Sequence, residues 1–435
     1  MSPAVRPSVP AAVWRNTWLL FLAQASLSTG LAAGAQLGSL IAFDLSGTAA
    51  FAGVPTAITA LTVAAVGYPA GRLMDRRGRR PGLTLGFAVG ALGALLMSLT
   101  VSARALGPYF LAVAVFSVGV AIGQLTRAAV ADMYPAARRA SAVGLVVTGG
   151  LVGGLGGPML VALGQRLAQA AGTPPLATPW LFIVGTFAAA AVAMAALRPD
   201  PREIGARLPE FFPDAAAAPP GGPDGARAWP VRAPTVRELL ASRPAQAAMI
   251  ALACAQATMV ILMATSSLML SMHGHGMDVI SVALMAHVFG MFGLSVPVGR
   301  LADRIGRRPV LVGGALLSAS SGLVFTIGVH SAAIAVAAFL LVGFGWCLAF
   351  VAGSALLADV ATSATRARLL ALSDVLTHAS AMVAALVSGV LLARGGELTV
   401  GALAAALGSV PLLALARAGR VRTPAPVVPA IGGGG

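Results

Sequence analysis

The chain has no lysine, only two cysteines and only 14 acidic residues among its 435. Charged residues make up 10% of it, against roughly a quarter in an ordinary soluble domain, so there is too little charge to clothe a water-soluble surface. Cys254 and Cys347 each lie inside an apolar run, which excludes a disulfide scaffold. The 29 cationic residues are all arginine and bring the formal charge to +15. They fall in short segments between apolar runs and not on one face, so they lack the clustered basic footprint of a nucleic-acid binder. The chain has no phosphate-binding loop, metal-hydrolase pattern or catalytic triad, so an enzyme is not expected, nor is a resident cofactor.

What fills the chain is hydrocarbon. Hydrophobic residues make up 58% and the mean hydropathy is +0.88. Apolar runs of about 18 residues or more can cross a ~30 Å hydrocarbon core as helices. They recur near 18–43, 49–71, 82–103, 108–131, 141–165, 180–197, 246–272, 279–299, 309–329, 332–357, 369–393 and 398–416. The expected fold is therefore an all-α membrane protein of twelve transmembrane helices. Arg6 and Arg15 precede the first run, which continues to Phe43 without a small-residue cleavage site and so reads as an uncleaved span.

Residues 198–245 hold ten of the 28 prolines. They read as a linker between a six-helix unit at 1–197 and a second at 246–435. Thr235 to Glu238 have the T-x-x-E form of a capping box ahead of Leu239 and Leu240, so a short interfacial helix is expected to lead into span seven. Segments 72–80, 138–139, 198–243, 300–308, 366–368 and 417–422 are rich in arginine, whereas the alternate loops around Asp44, Arg104, Arg166, His273, His330 and Arg394 are not. The positive-inside rule then places the first set and both termini in the cytoplasm.

Residues 71–81, GRLMDRRGRRP, recur as GRLADRIGRRP at 299–309, identical at nine of eleven places and 228 residues apart. Each copy follows the second span of its half. Beyond them, Asp132 precedes Arg138 and Arg139 after span four, as Asp359 precedes Arg366 and Arg368 after span ten. The pattern G-x-L-x-D-R-x-G-R-R resembles the loop signature of the major facilitator superfamily, and the resemblance covers essentially the whole chain. It implies two pseudo-symmetric six-helix bundles in a bacterial inner membrane, working as a monomeric secondary transporter of a small substrate by rocking one half on the other. On this reading Gly71, Asp75, Arg76, Gly78, Arg79 and their counterparts Gly299, Asp303, Arg304, Gly306 and Arg307 form a cytoplasmic gate. Gly71 and Gly299 let helices approach closely, Gly78 and Gly306 permit the turn, and the carboxylates sit at a helix N-terminus paired with the arginines.

Span five carries Gly144, Gly153, Gly157 and Pro158. This resembles the antiporter motif of proton-coupled drug exporters, with its closing glycine pair replaced by Val161 and Ala162. Gly149, Gly153 and Gly157 also form a small-residue stripe that suits close helix packing alone.

Eight of the 15 methionines and three of the five histidines fall in residues 249–291. Met259 and Met263 in span seven, and His287 and Met291 in span eight, are spaced i, i+4 and so share a helix face. Thioether and imidazole are soft or borderline ligands suited to Cu(I). The pairs resemble those of the CcoA-like copper importers, which implies that Met259, Met263, His287 and Met291 bind metal. Met269, Met272, His273, His275 and Met277, on an outer loop, would then collect metal. Methionine is equally a filler of apolar cores and promiscuous pockets, so carriage of an organic solute stands beside copper import, whether drug-type efflux or vitamin and metabolite uptake. Asp374 and His378 share a face near the cytoplasmic end of span eleven, with Arg127 at that end of span four. They read either as a proton relay or as interfacial charges, with Asp374 paired to Arg366 or Arg368.

Overall fold

The computed structural model describes residues 9–213, 242–360 and 363–417. Among them, eleven helices are long and apolar enough to cross a membrane. The N-terminal half contains α1 (Ala11–Ser46), α2 (Val54–Arg77), α3 (Arg79–Ser102), α4 (Leu106–Asp132), α5 (Ala136–Ala171) and α6 (Thr178–Ala195). The C-terminal half contains α7 (Arg243–Met272), then α8, built from Met277–Val288, a π-helical turn Phe289–Gly293 and Ser295–Ile305. After it come α9 (Arg307–Gly328), α10 (Ala332–Val360) and one helical run, Ser363–Arg417. That last run has 55 residues and a non-helical Gly396 at φ 67°. At 1.5 Å per residue it is roughly 80 Å long, more than twice a hydrocarbon core. Its arms on either side of Gly396 are α11 and α12, so the expected twelve crossings are present.

The expected spans and the helices agree to within a few residues in the interior of each run. The helices extend further at their ends, because a helix continues into the headgroup region until a turn residue stops it. Gly78 (φ 99°) and Gly306 (φ 95°) separate α2 from α3 and α8 from α9, a backbone conformation that favours glycine. The first part of the linker folds back on the N-terminal half. Two short helices, Pro201–Ala206 and Leu208–Phe211, bury Ile204 and Phe212 there, and the capping box seen is Asp200 with Glu203. The box expected at Thr235–Glu238 lies outside the described residues.

Within each half, packing is by close backbone approach. A Cβ on Gly149 would come 2.5 Å from the Phe21 carbonyl oxygen, one on Gly153 would overlap that of Ala25, and one on Gly157 would sit 2.8 Å from that of Thr29. The stripe on α5 is thus pressed against α1, as small residues allow in lipid, where there is no hydrophobic force between helices. Thr29 Oγ1 adds a hydrogen bond to the Gly153 carbonyl at 3.3 Å. The helix runs unbroken through Pro158 to Ala171, so this proline does not bound it. Gly144 and Gly156 face open space.

Gly153→Val should therefore lower the melting temperature and yield of the purified protein, by an overpacking cost on the order of 1–3 kcal/mol or more. Gly156→Val, with the same change in helix propensity, should leave both near wild type. Thermal unfolding of the two variants in detergent checks this.

Candidate functional site

The two ends of the molecule are built differently. At the arginine-rich end each half is tied internally, with the same contacts in both. Arg79 Nε donates to Asp132 Oδ2 at 2.9 Å, and Arg307 Nε to Asp359 Oδ2 at 3.1 Å. Arg80 Nε donates to the Ala195 carbonyl at the end of α6, and an Arg308 nitrogen to the Leu415 carbonyl at the end of α12, each at 2.9 Å. The repeated motif thus joins the second and third helices of each half to the ends of its fourth and sixth.

The N-terminal half has one further device. The Asp200 carboxylate accepts from the backbone N–H groups of Arg79 and Arg80 at 3.1 and 2.8 Å, and also from that of Arg202 at 2.8 Å. It caps α3 and the first linker helix together, with its charge at the positive end of the α3 dipole. Tyr134, between α4 and α5, shares a 2.9 Å hydrogen bond with Thr17 Oγ1. Burial raises its phenol pKa above the ordinary value, opposed by Thr17 and Arg138.

Arg79 and Arg307 reach Asp132 and Asp359 across the bundle, while the side chains of Asp75 and Asp303 lie outside what is described. A Cβ on Gly71 would meet nothing within 4 Å, and one on Gly299 only Val351 at 4.0 Å. Arg76 and Arg304 are exposed.

At the opposite end the halves meet. A Cβ on Gly53, at the start of α2, would overlap the carbonyl oxygen of Ala385 on α11, and one on Gly389 would lie 2.7 Å from that of Ala50. Gln36 of α1 donates to Ser281 Oγ of α8 at 2.8 Å, and Ser281 Oγ donates to the Pro158 carbonyl of α5 at 3.1 Å. That end is sealed by backbone contact.

Between the halves lies a cavity of about 280 Å³. Its wall on the N-terminal side includes Thr56, Tyr109, Phe116, Gln124 and Trp180, and α7 and α11 contribute Gln256, Val260 and His378. The Tyr109 hydroxyl and Trp180 Nε1 are buried without a hydrogen-bond partner among the described residues. Trp346 Nε1 donates to Gln256 Oε1 at 2.8 Å, leaving the Gln256 amide nitrogen to the cavity. Apart from His378, none of these wall residues stood out in the sequence. The only trace in the sequence was polar and aromatic residues within apolar runs.

The soft-ligand residues lie elsewhere. On α7 it is Gln256 and Val260 that line this cavity, and Met263, further along the same face, is buried in an apolar cluster shared by the two halves, with Met259 packed against it. His287 is buried with Nδ1 3.3 Å from the Phe339 carbonyl of α10. The π-turn interrupts the regular spacing on which the pairing of His287 with Met291 rested. In the outer loop Met269 is fully buried and Met272 is 60% exposed. Met277 accepts from Gln36 Nε2 at 3.1 Å, and His275 Nε2 lies 2.7 Å from the Val329 carbonyl. His273 meets two residues not picked out as ligands, Glu397 and His330.

Arg127, Asp374 and His378 come together across the two halves. His378 Nδ1 donates to the Asp374 backbone carbonyl at 2.7 Å, and the Arg127 charge acts on the Asp374 carboxylate from the other half. The partners expected for it, Arg366 and Arg368, have side chains outside the described set.

Two half-bundles around a central cavity, sealed at one end, define a secondary transporter. The family model of the Major Facilitator Superfamily matches residues 19–296 and 248–433, and the chain belongs to that family. It is 30% identical over 389 residues to an uncharacterised MFS-type transporter, YdeG of Bacillus subtilis, covering 89% of this chain and 87% of that one. It is 26% identical over 406 residues to the riboflavin transporter RfnT of Brucella anthropi, covering 89% and 91%. In fold it is similar to a D-xylose-proton symporter, with a TM-score of 0.68 at 13% identity over 92% of this chain and 96% of the other. A POT family transporter in complex with 5-aminolevulinic acid gives a TM-score of 0.68 at 12% identity over 93% and 97%.

The sealed end makes a direct prediction. In a background lacking Cys254 and Cys347, Thr56→Cys on the cavity wall should resist a membrane-impermeant maleimide added on that side. Adding Gly53→Leu, which props the contact open, should make the same cysteine reactive there.

Proposed function

We propose that this chain is a proton-coupled transporter of a small organic solute, a planar heterocycle bearing carbonyl acceptors, working by rocking of its two halves in a bacterial inner membrane. The observation that carries this is the cavity wall. Phe116 and Trp180 stand edge to face with centroids 5.7 Å apart, beside two buried donors, the Tyr109 hydroxyl and Trp180 Nε1, that no described residue satisfies. Neither donor reaches the cavity surface, so what the wall offers a solute is aromatic surface with Thr56, Gln124 and Gln256 as its polar groups. Aromatic walls with a few placed polar groups are the usual character of an organic-ligand site. The similarity to a riboflavin transporter makes a flavin the first solute to test.

With the arginine-rich end in the cytoplasm by the positive-inside rule, the conformation is inward-facing. Asp374, His378 and Arg127 then lie at the mouth between the halves. A carboxylate beside an imidazole and opposite a guanidinium can exchange a proton as the mouth opens and closes, and this is the coupling role we assign to them.

Copper carriage by Met259, Met263, His287 and Met291 has less support, because none of the four lines the cavity. Met263→Leu, which keeps volume and removes sulfur, should leave cellular copper unchanged, as should His287→Ala; lost copper accumulation with normal protein levels would restore that reading.

For the organic solute, riboflavin should quench the tryptophan fluorescence of the purified protein saturably. Gln124→Leu, which removes a hydrogen-bonding group from the cavity wall, worth about 0.5–1.5 kcal/mol, should weaken binding about 2- to 10-fold. In proteoliposomes Asp374→Asn should abolish accumulation driven by a pH gradient while sparing solute exchange. If riboflavin neither binds nor exchanges, flavins are excluded and other heterocycles must be screened.

A further inference from the structure

Three loops of the C-terminal half converge at the sealed end of the molecule. His273 comes from the α7–α8 loop, His330 from the α9–α10 loop and Glu397 from the break between α11 and α12. One donor atom of each lies within 4.8 Å of the other two. His273 Nε2 is 3.3 Å from Glu397 Oε1, and the rings of His273 and His330 stand edge to face with centroids 4.4 Å apart. For a tetrahedral zinc site with bonds near 2.0–2.1 Å, neighbouring donors stand about 3.3 Å apart. One pair already has that separation.

We propose that His273, His330 and Glu397 form a binding site for a borderline divalent transition metal, Zn(II) being the natural probe, separate from the solute cavity. The hydrogen bonding of His273 is the chief argument. Its Nδ1 lies 2.8 Å from the Met269 carbonyl, which can only accept, so the ring proton is on Nδ1. Nε2 then presents a lone pair to the Glu397 carboxylate, a second acceptor. Two acceptors at 3.3 Å repel unless a proton or a metal ion lies between them. A histidine that ligates metal through one nitrogen and donates to a backbone carbonyl through the other is the usual arrangement around bound zinc. Two imidazoles and a carboxylate suit zinc and exclude Mg²⁺ or Ca²⁺, which prefer oxygen throughout.

The scaffold holds these donors in place. His275 Nε2 bonds to the Val329 carbonyl at 2.7 Å, fixing the two histidine loops to each other. Thr399 Oγ1 bonds to the carbonyls of Gly396 and Leu391 at 2.9 and 3.1 Å, fixing the turn that carries Glu397. The N-terminal half supplies an internal comparison. At nearly the repeat offset, its corresponding loops are joined by Asp44 and Arg104, an exposed ion pair of 3.1 Å. Where one half uses a plain ion pair, the other has placed three metal-ligating groups. The site joins loops of one half only, so a metal there stiffens that half without locking it to its partner.

The test is titration of Zn(II) into the full-length protein, purified without a polyhistidine tag, by calorimetry or by competition with a chromophoric chelator. The expected result is saturable binding of one equivalent, weakened about 10- to 100-fold or lost in His330→Ala and in Glu397→Gln, and unchanged in Asp44→Asn. His330 is exposed, so its removal leaves the fold intact. No saturable binding by the wild type, or binding as tight in both ligand variants, overturns the proposal and leaves His273 and Glu397 as a proton-bridged pair.

Discussion

Hydrocarbon offers no hydrogen-bond partner, and most of the rest of the structure follows from that. Each backbone amide within a span must be satisfied by its own helix. The helices can therefore recognise one another only by how closely their backbones approach and by the few polar groups they can shelter. The glycines of α5 against α1, and Gly53 and Gly389 between the halves, are this constraint expressed at particular atoms. Charge is confined to the ends, where water can reach it.

The two ends then divide the labour. At the arginine-rich end the contacts are ionic or from arginine to backbone carbonyl, and those described lie within a half. Partly exposed ion pairs contribute only about 0–1 kcal/mol each, so their value is geometric. They make each six-helix unit a rigid body whose ends cannot splay. At the sealed end the contacts run between halves and are apolar or neutral, formed by glycine against carbonyl with one short Gln36–Ser281–Pro158 hydrogen-bond chain. Such a contact separates at little desolvation cost, because it strands no charge when it parts. Rigid units joined by a seam of small residues can rock, and rocking exposes the cavity to alternate sides.

The fold was legible in the sequence to the extent that lipid dictates it. Span length, the alternation of arginine between loops and the duplicated motif are direct consequences of the bilayer, so helix count and the two-fold plan could be read from them. The α5 stripe was legible for the same reason. The motif's partners were not. Arg79 and Arg307 bond to Asp132 and Asp359, more than fifty residues away, and although both aspartates stood out as matching between halves, no local spacing tells which arginine each will meet. The cavity was hidden because any face of a hydrophobic helix looks alike in sequence. Met259 and Met263 were conspicuous, but on that stripe of α7 it is Gln256 and Val260 that line the cavity. His330 and Glu397 each stood alone in a loop, and only folding places them beside His273.

This sets how cargo can be inferred in such a chain. A cluster of one residue type carries information only where the helix brings it to the space the cargo occupies, and elsewhere along the same stripe methionine can pack in an apolar core at no cost. Buried polar groups are more discriminating. Keeping Thr56, Gln124 and Gln256 at the cavity wall within the membrane is costly unless something there bonds to them, so such groups persist where an occupant repays the cost. That reasoning favours an acceptor-bearing organic solute over a soft metal ion at the centre. It also assigns metal chemistry to the rim, where Nε2 of His273 and the carboxylate of Glu397 face each other and need a cation between them.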